Sequence, residues 1–207
     1  MEEEQLLARV RAGDHNALND LLERYQERVY RLAFRMLGNE EDAKDAVQDI
    51  LLRLSNSITN FRGTSKFSTW TYRVAYNTCV DFQRRRKPWS NVIPFEGLSE
   101  QTAGLVPFGS TINSDPDVLC EERFREKLLN QALASLSESQ RAVLWLRDWE
   151  GLSNKEVATV FGVSEGTLKA RLHRARGALR RTLEEGVAVA GHEQAGRFYV
   201  TATGQIE

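Results

Sequence analysis

Three groups of side chains have types and spacings suited to recognition chemistry. Asp42, Asp45 and Asp49 recur at i, i+3 and i+7, with Gln48 alongside, as one face of a helix. Three carboxylates strung along two helical turns do not converge on one ion, so no metal site is expected there. The group is either a solvated face or a docking face for a basic partner, with only Lys44 and Arg53 near to balance it. A second group interleaves aromatics with cations: Phe61, Arg62, Lys66, Phe67, Trp70, Tyr72, Arg73 and Tyr76, followed by Arg84-Arg85-Arg86-Lys87. Aromatic faces stack unpaired bases and cations neutralise phosphate, which is what binding a single strand requires. Phe67 and Trp70 also lie on an apolar stripe, where each ring serves equally as core. The binding reading therefore rests on the loop Asn60–Ser65 and the basic end. The third group is Lys169, Arg171, Arg174, Arg176, Arg180 and Arg181, with no acid between residues 166 and 181.

No catalytic constellation accompanies them. His15, His173 and His192 stand in unrelated contexts, and there is no nucleophile elbow, phosphate loop or HExxH pair. Cys79 and Cys120 are far apart and form no CxxC, which excludes a disulfide scaffold and a zinc site. The chain reads as a binding protein and not an enzyme, with no cofactor and no metal.

The elements that must carry these groups are helices. Leu18, Leu21, Leu22, Tyr25, Val29, Leu32, Ala33 and Met36 recur mostly at three- and four-residue steps, and Gly38-Asn39 ends that helix. A second helix from Glu40 buries Ala43, Ala46, Val47, Ile50, Leu51 and Leu54, leaving the acidic face opposite. Ser55–Ser65 reads as a loop. A third helix, Phe67 to Arg86, carries Phe67, Trp70, Val74, Thr78 and Phe82 on one side and closes at Lys87-Pro88. All 4 prolines of the chain fall between Pro88 and Pro116, so residues 88–120 read as an extended linker between two domains. Helices resume at Glu121 with Phe124, Leu128, Leu129, Ala132, Leu133 and Leu136. Ser137-Glu138-Ser139-Gln140 and Ser153-Asn154-Lys155-Glu156 each have the form of a capping box. The first opens a helix with Val143, Leu144 and Leu146 that ends near Gly151. The second opens a short helix with Val157, Ala158 and Phe161. Gly162 makes a turn, Ser164 caps again, and a long basic helix runs through Leu168, Leu172, Ala175, Leu179 and Leu183. Short helix, glycine turn and longer basic helix are the parts of a helix-turn-helix, whose second helix enters the major groove. Residues 186–207 read as a weakly ordered tail, with one short strand at Phe198-Tyr199-Val200.

Composition agrees with this division. The 207 residues carry 28 Lys and Arg against 29 Asp and Glu, a net charge of −1 that hides strong segregation. Residues 1–60 hold 8 basic and 12 acidic side chains; residues 61–90 hold 7 basic ones and a single acid, Asp81. Two basic patches on a near-neutral chain suggest two contacts with a polyanion. No apolar run approaches the ~20 residues that span a membrane. Met1-Glu2-Glu3-Glu4 is acidic where a signal peptide is basic, so a reduced, cytoplasmic setting and no membrane insertion are expected.

In order, these segments resemble the extracytoplasmic-function (ECF) sigma factors of bacteria, over about residues 5–185. YQERVYRLAFRMLGNEEDAKDAVQDILLRL is similar to the region that opens the first domain and docks on polymerase. FRGTSKFSTWTYRVAYNTCVDFQRRR is similar to the segment that melts and reads the minus-10 element. LSESQRAVLWLRDWEGLSNKEVATVFGVSEGTLKARLHRARGALR is similar to the domain that reads the minus-35 element. The resemblance implies an all-α fold of two small helical domains, 1–87 and 121–185, joined by the flexible linker 88–120, the second containing the helix-turn-helix. It implies that Asp42, Asp45, Gln48 and Asp49 bind the clamp of the β′ subunit of core RNA polymerase. It places minus-10 DNA contacts at Asn60, Phe61, Arg62, Ser65, Lys66, Trp70, Arg73, Asn77, Arg84 and Arg85, with the loop Asn60–Ser65 capturing a flipped non-template base. Minus-35 contacts fall to Ser164, Glu165, Gly166, Thr167, Lys169, Arg171, Arg174 and Arg176. The implied partners are core polymerase, promoter DNA both duplex and single-stranded, and an anti-sigma factor. The alternative is a helix-turn-helix regulator acting without polymerase, which leaves the acidic helix and the aromatic-basic helix without purpose. The family commonly shows DAED where this chain has Asp42-Ala43-Lys44-Asp45, a departure expected to weaken or retune docking. The tail after Glu185 matches no family pattern.

Overall fold

A computed structural model describes residues 2–86 and 128–190, and among them every regular element is helical. The order is α1 (Glu2–Arg11), α2 (His15–Leu37), α3 (Glu40–Ser57), a single 3-10 turn (Ile58–Asn60), α4 (Phe67–Arg86), α5 (residues 128–134), α6 (Glu138–Leu144), a π-helical turn (Trp145–Trp149), α7 (Asn154–Phe161) and α8 (Glu165–Ala190). The linker 88–120, the start of the helix expected from Glu121 and the candidate strand at Phe198-Tyr199-Val200 lie outside the described residues. The chain divides into two compact units, Met1–Gly97 with Leu152–Glu165, and Leu98–Gly151 with Gly166–Glu207.

In the first unit α2, α3 and α4 pack on one another, and α1 packs on α2. Asp14 starts α2 by accepting from the amides of Asn16 and Ala17, and Gly38 ends it in the left-handed region at φ 70. Asn39 then caps α3 by accepting from the Asp42 amide. Both boundaries follow from side chains within three residues of the helix end, which is why the sequence shows them. The core holds Leu21, Val29, Leu32 and Met36 of α2 and Ala43, Ile50 and Leu54 of α3. α3 runs three residues further than expected, to Ser57, and the 3-10 turn takes up the next three. The supposed loop from Ser55 thus shrinks to residues 61–66, because Ile58 and Phe61 are buried and hold the chain against the core.

α4 spans the expected residues but buries a wider surface. Phe67, Thr69, Thr71, Tyr72, Ala75, Thr78 and Cys79 are buried, whereas Trp70, Val74 and Phe82 of the expected stripe are only half-buried. The helix is enclosed on more than one side, since α7 packs against it as well as α2 and α3. Tyr76 and Phe161 meet there with ring centroids 4.3 Å apart. Burial pushes the Cys79 thiol up to about 12, so it stays an unreactive apolar filler.

α1 is an element the sequence reading lacked. Leu6 is buried, and the Tyr25 hydroxyl donates to the Glu3 carboxylate at 2.6 Å, which fixes α1 on α2. Burial first, and Glu3 second, hold the Tyr25 hydroxyl far above the usual phenol range.

In the second unit Leu128, Ala132, Leu133, Leu136, Val143, Leu144 and Leu146 share the interior with Leu168, Leu172, Ala175, Leu179 and Leu183 of α8. The Ser137–Gln140 capping box is closed in both directions. The Arg141 guanidinium donates to the Leu136 carbonyl at 2.9 Å, and burial lowers its pKa. α8 does not stop at Glu185 but continues to Ala190, so the first residues of the supposed tail are helical. Gly186 is retained there for close approach: a methyl group on it would come within 2.0 Å of the Leu128 side chain.

Candidate nucleic-acid interface and docking face

The acidic face of α3 is built by burying the opposite stripe, Ala43, Ala46, Val47, Ile50 and Leu54. Asp45 and Gln48 are exposed, and Asp42 and Asp49 are half-buried. The Lys44 ammonium does not reach across to them. It lies 2.7 Å from Glu40, one turn back on its own helix. Arg85 approaches Asp49 to 4.0 Å. Leu52 sits one turn beyond Asp49 and is 62% exposed, the most exposed large hydrophobic among the described residues. Charge patterning does not reveal it; its place outside the apolar stripe of α3 is the sequence signal.

The aromatic-basic group is split by depth. Phe61 and Phe67 are buried, edge to face with centroids 5.3 Å apart, and each lies 5.5 Å from Trp70. The Tyr25 ring meets Phe67 edge-on at 5.3 Å. Phe61, expected among the minus-10 contacts, has its ring buried against Phe67 and Trp70, where it props the loop from within. Asn60, Arg62, Lys66, Arg73, Asn77, Arg84 and Arg85 are exposed, while Ser65 and Trp70 are half-buried. Gly63 turns the loop at φ +72. A cavity of about 350 Å³ opens here, lined by the loop, by Thr69, Trp70 and Arg73, and by Lys155, Glu156 and Thr159 of α7.

Glu156 closes the Ser153 capping box, accepting from the Ser153 amide at 2.8 Å and hydroxyl at 2.7 Å. The Lys66 ammonium reaches the other carboxylate oxygen at 2.9 Å. The Ser153 hydroxyl first, and Lys66 next, draw the Glu156 carboxyl down to about 2.

The helix-turn-helix succession is present as α7, a left-handed Gly162 at φ 63, and α8. Leu168 and Leu172 are buried; Ser164, Glu165, Gly166, Thr167, Lys169 and Arg174 are exposed, and Arg171 is half-buried. Arg176 departs from the group. Its guanidinium pairs with Asp148 at 2.7 Å, where both side chains are largely covered. It thereby ties α8 to the π-helical turn, with its guanidinium engaged inside the unit. The partner is 28 residues away, beyond the reach of local pattern. Among the described residues no group of three or more His, Cys, Asp or Glu could hold a metal ion. Among the same residues, no helix is long and apolar enough to cross a membrane.

A long basic helix after a glycine turn, a cationic loop on an aromatic base and an acidic helix face are the exposed features of this all-helical chain among the described residues. Residues 21–88 match the family model of Sigma-70 region 2, and residues 126–179 match that of Sigma-70, region 4. The chain is 30% identical over 187 residues to the ECF RNA polymerase sigma factor SigW of Bacillus subtilis (strain 168), covering 86% of this chain and 95% of that one. It is 32% identical over 182 residues to the ECF RNA polymerase sigma-E factor of Escherichia coli (strain K12), covering 86% and 93%. Its fold is similar to CnrH solved with the cytosolic domain of CnrY (TM-score 0.60, 23% identity, 89% of this chain and 99% of that one). It is also similar to the sigma factor RpoE solved with the anti-sigma factor NepR from Bartonella quintana (TM-score 0.59, 22% identity, 80% and 96%). The chain belongs to the sigma-70 family, in the ECF group of RNA polymerase sigma factors.

Proposed function

We propose that this ECF sigma factor distributes its work over three surfaces. Asp45, Gln48 and Asp49, with Asp42 at the near end, dock α3 on the β′ clamp of core polymerase. The loop Asn60–Ser65, with Lys66, Trp70, Arg73, Asn77, Arg84 and Arg85, captures and holds the melted minus-10 strand, the cost of unstacking a base being offset by the pocket that receives it. Thr167, Lys169, Arg171 and Arg174 read the minus-35 duplex from the start of α8. The chemistry of transcription belongs to the polymerase, and the protein works in the cytoplasm under the control of an anti-sigma factor. Residues 1–87 and 121–185 act as the two domains, with 88–120 as linker and 186–207 as a tail dispensable for promoter opening.

The observation that carries this reading is the order of the two region matches on one chain, 21–88 and then 126–179. The test is a gel shift and run-off transcription with a promoter library, with and without core polymerase. Binding and transcripts only with core support the proposal. Tight duplex binding by the chain alone, with no transcript on adding core, overturns it in favour of a conventional regulator.

A further inference from the structure

The family model begins at residue 21, so α1 has no assigned role. Two observations tie α1 to the loop that the proposed function gives to the melted strand. The Arg11 guanidinium lies over Gly63 at the tip of that loop, 3.5 Å from where a Cβ on the glycine would stand. The helix that carries Arg11 is held in place from below: Glu3 accepts from the Tyr25 hydroxyl at 2.6 Å, and the Tyr25 ring meets Phe67 under the loop.

The charges around Arg11 sort themselves. Arg9, on the same last turn of α1, is occupied by Asp14 at 2.7 Å. Arg11 is exposed and makes no ion pair with any described residue. Residues 61–80 hold no acid. A lone cation held at a loop of like charge is electrostatically unfavourable until an anion arrives. Arg is suited to that anion when it is a phosphodiester, through its forked donors.

Resting on the proposed reading of the loop, we propose that Arg11 is a further DNA-binding residue, contacting a backbone phosphate of the displaced single strand next to the captured base. α1 thereby becomes part of the promoter-opening surface. The contact is to phosphate and carries no base preference of its own.

The experiment uses the full chain with core polymerase on a forked promoter probe with a single-stranded non-template overhang, titrated with salt. Arg11→Ala is expected to weaken binding about 3- to 10-fold and to lower the salt slope by about one. Arg11→Lys is expected to restore the slope. The difference between Arg11→Ala and wild type is expected to vanish when the overhang is cut back to the captured base. Arg62→Ala with Arg73→Ala serves as the loop control. If the control lowers the slope and Arg11→Ala does not, the role of Arg11 is overturned and the loop reading stands. If neither lowers it, the loop reading falls and Arg11 falls with it. If Arg11→Ala weakens binding but Arg11→Lys fails to restore it and the melting temperature drops, Arg11 is structural and the inference is overturned.

Discussion

The Lys44 ammonium lies 2.7 Å from the Glu40 carboxylate, a pair spaced i, i+4 on the exposed side of α3. Lys44 stands where the sequence resemblance led an acid to be expected. The pair neutralises the cation with an acid one turn back, so that Lys44 does not balance Asp45 or Asp49. The Lys44 ammonium draws the Glu40 carboxyl below its ordinary value, and Glu40 in turn raises that of Lys44.

Reversing the face is expected to abolish docking. Asp45→Lys with Asp49→Lys sets like charges against a basic partner, which at a specific interface weakens binding on the order of 100-fold or more. Lys44→Ala is expected to change core affinity by less than about fivefold, since it removes only an exposed pair. Core affinity measured for both variants checks this; a large loss with Lys44→Ala means that the cation itself touches the partner.

Promoter affinity is expected to separate from core affinity. Lys169→Ala with Arg171→Ala removes contacts at the start of α8, each base contact being worth roughly 1–3 kcal/mol. Core binding is expected to be unchanged while binding to a minus-35 duplex falls and its salt dependence flattens. Equal loss of both affinities refutes the division of surfaces.

Arg176 is expected to behave unlike its basic neighbours. Arg176→Ala breaks a largely covered, charge-assisted bond to Asp148 and is expected to cost about 1.5–3 kcal/mol of stability. The salt slope of duplex binding is expected to stay at the wild-type value. A stable variant with a flatter slope restores Arg176 to the DNA surface.

The capping box at Ser153 is expected to be acid-sensitive. The Glu156 carboxyl is drawn down to about 2 from the ordinary 4.5, so the folded state favours the ionised form. The stabilisation is fully present above about pH 4.5 and is lost as pH falls toward 2. Glu156→Gln is expected to remove this part of the acid dependence. Lys66→Ala is expected to raise the carboxyl only partway, because the Ser153 hydroxyl is the larger cause. Carbon-detected NMR titration of Glu156 reads both; a wild-type value near 4.5 refutes the pairing.

Much of this protein was legible without coordinates. The caps at Ser137 and Ser153, the turn at Gly162 and the end of α2 at Gly38 are written in residues no more than four apart. Such interactions form wherever the local chain turns, and the residue types alone announce them. The acidic face of α3 was equally plain, since helical period alone separates it from its buried stripe.

Other features were decided only when distant segments met. Phe61 had the composition of a base-stacking residue, and its contact with Phe67 and Trp70 turned it into a prop. Arg176 belonged to a basic run until Asp148, 28 residues earlier, claimed it. Arg11 stood in an unread N-terminal stretch and came to rest over Gly63. α4 carries threonines where a core stripe was expected to be apolar, because helices pack on several of its sides. Periodicity tells which face of a helix leaves water, but the partner on that face is set by packing between segments far apart in sequence, and the charge a guanidinium finally meets is decided there.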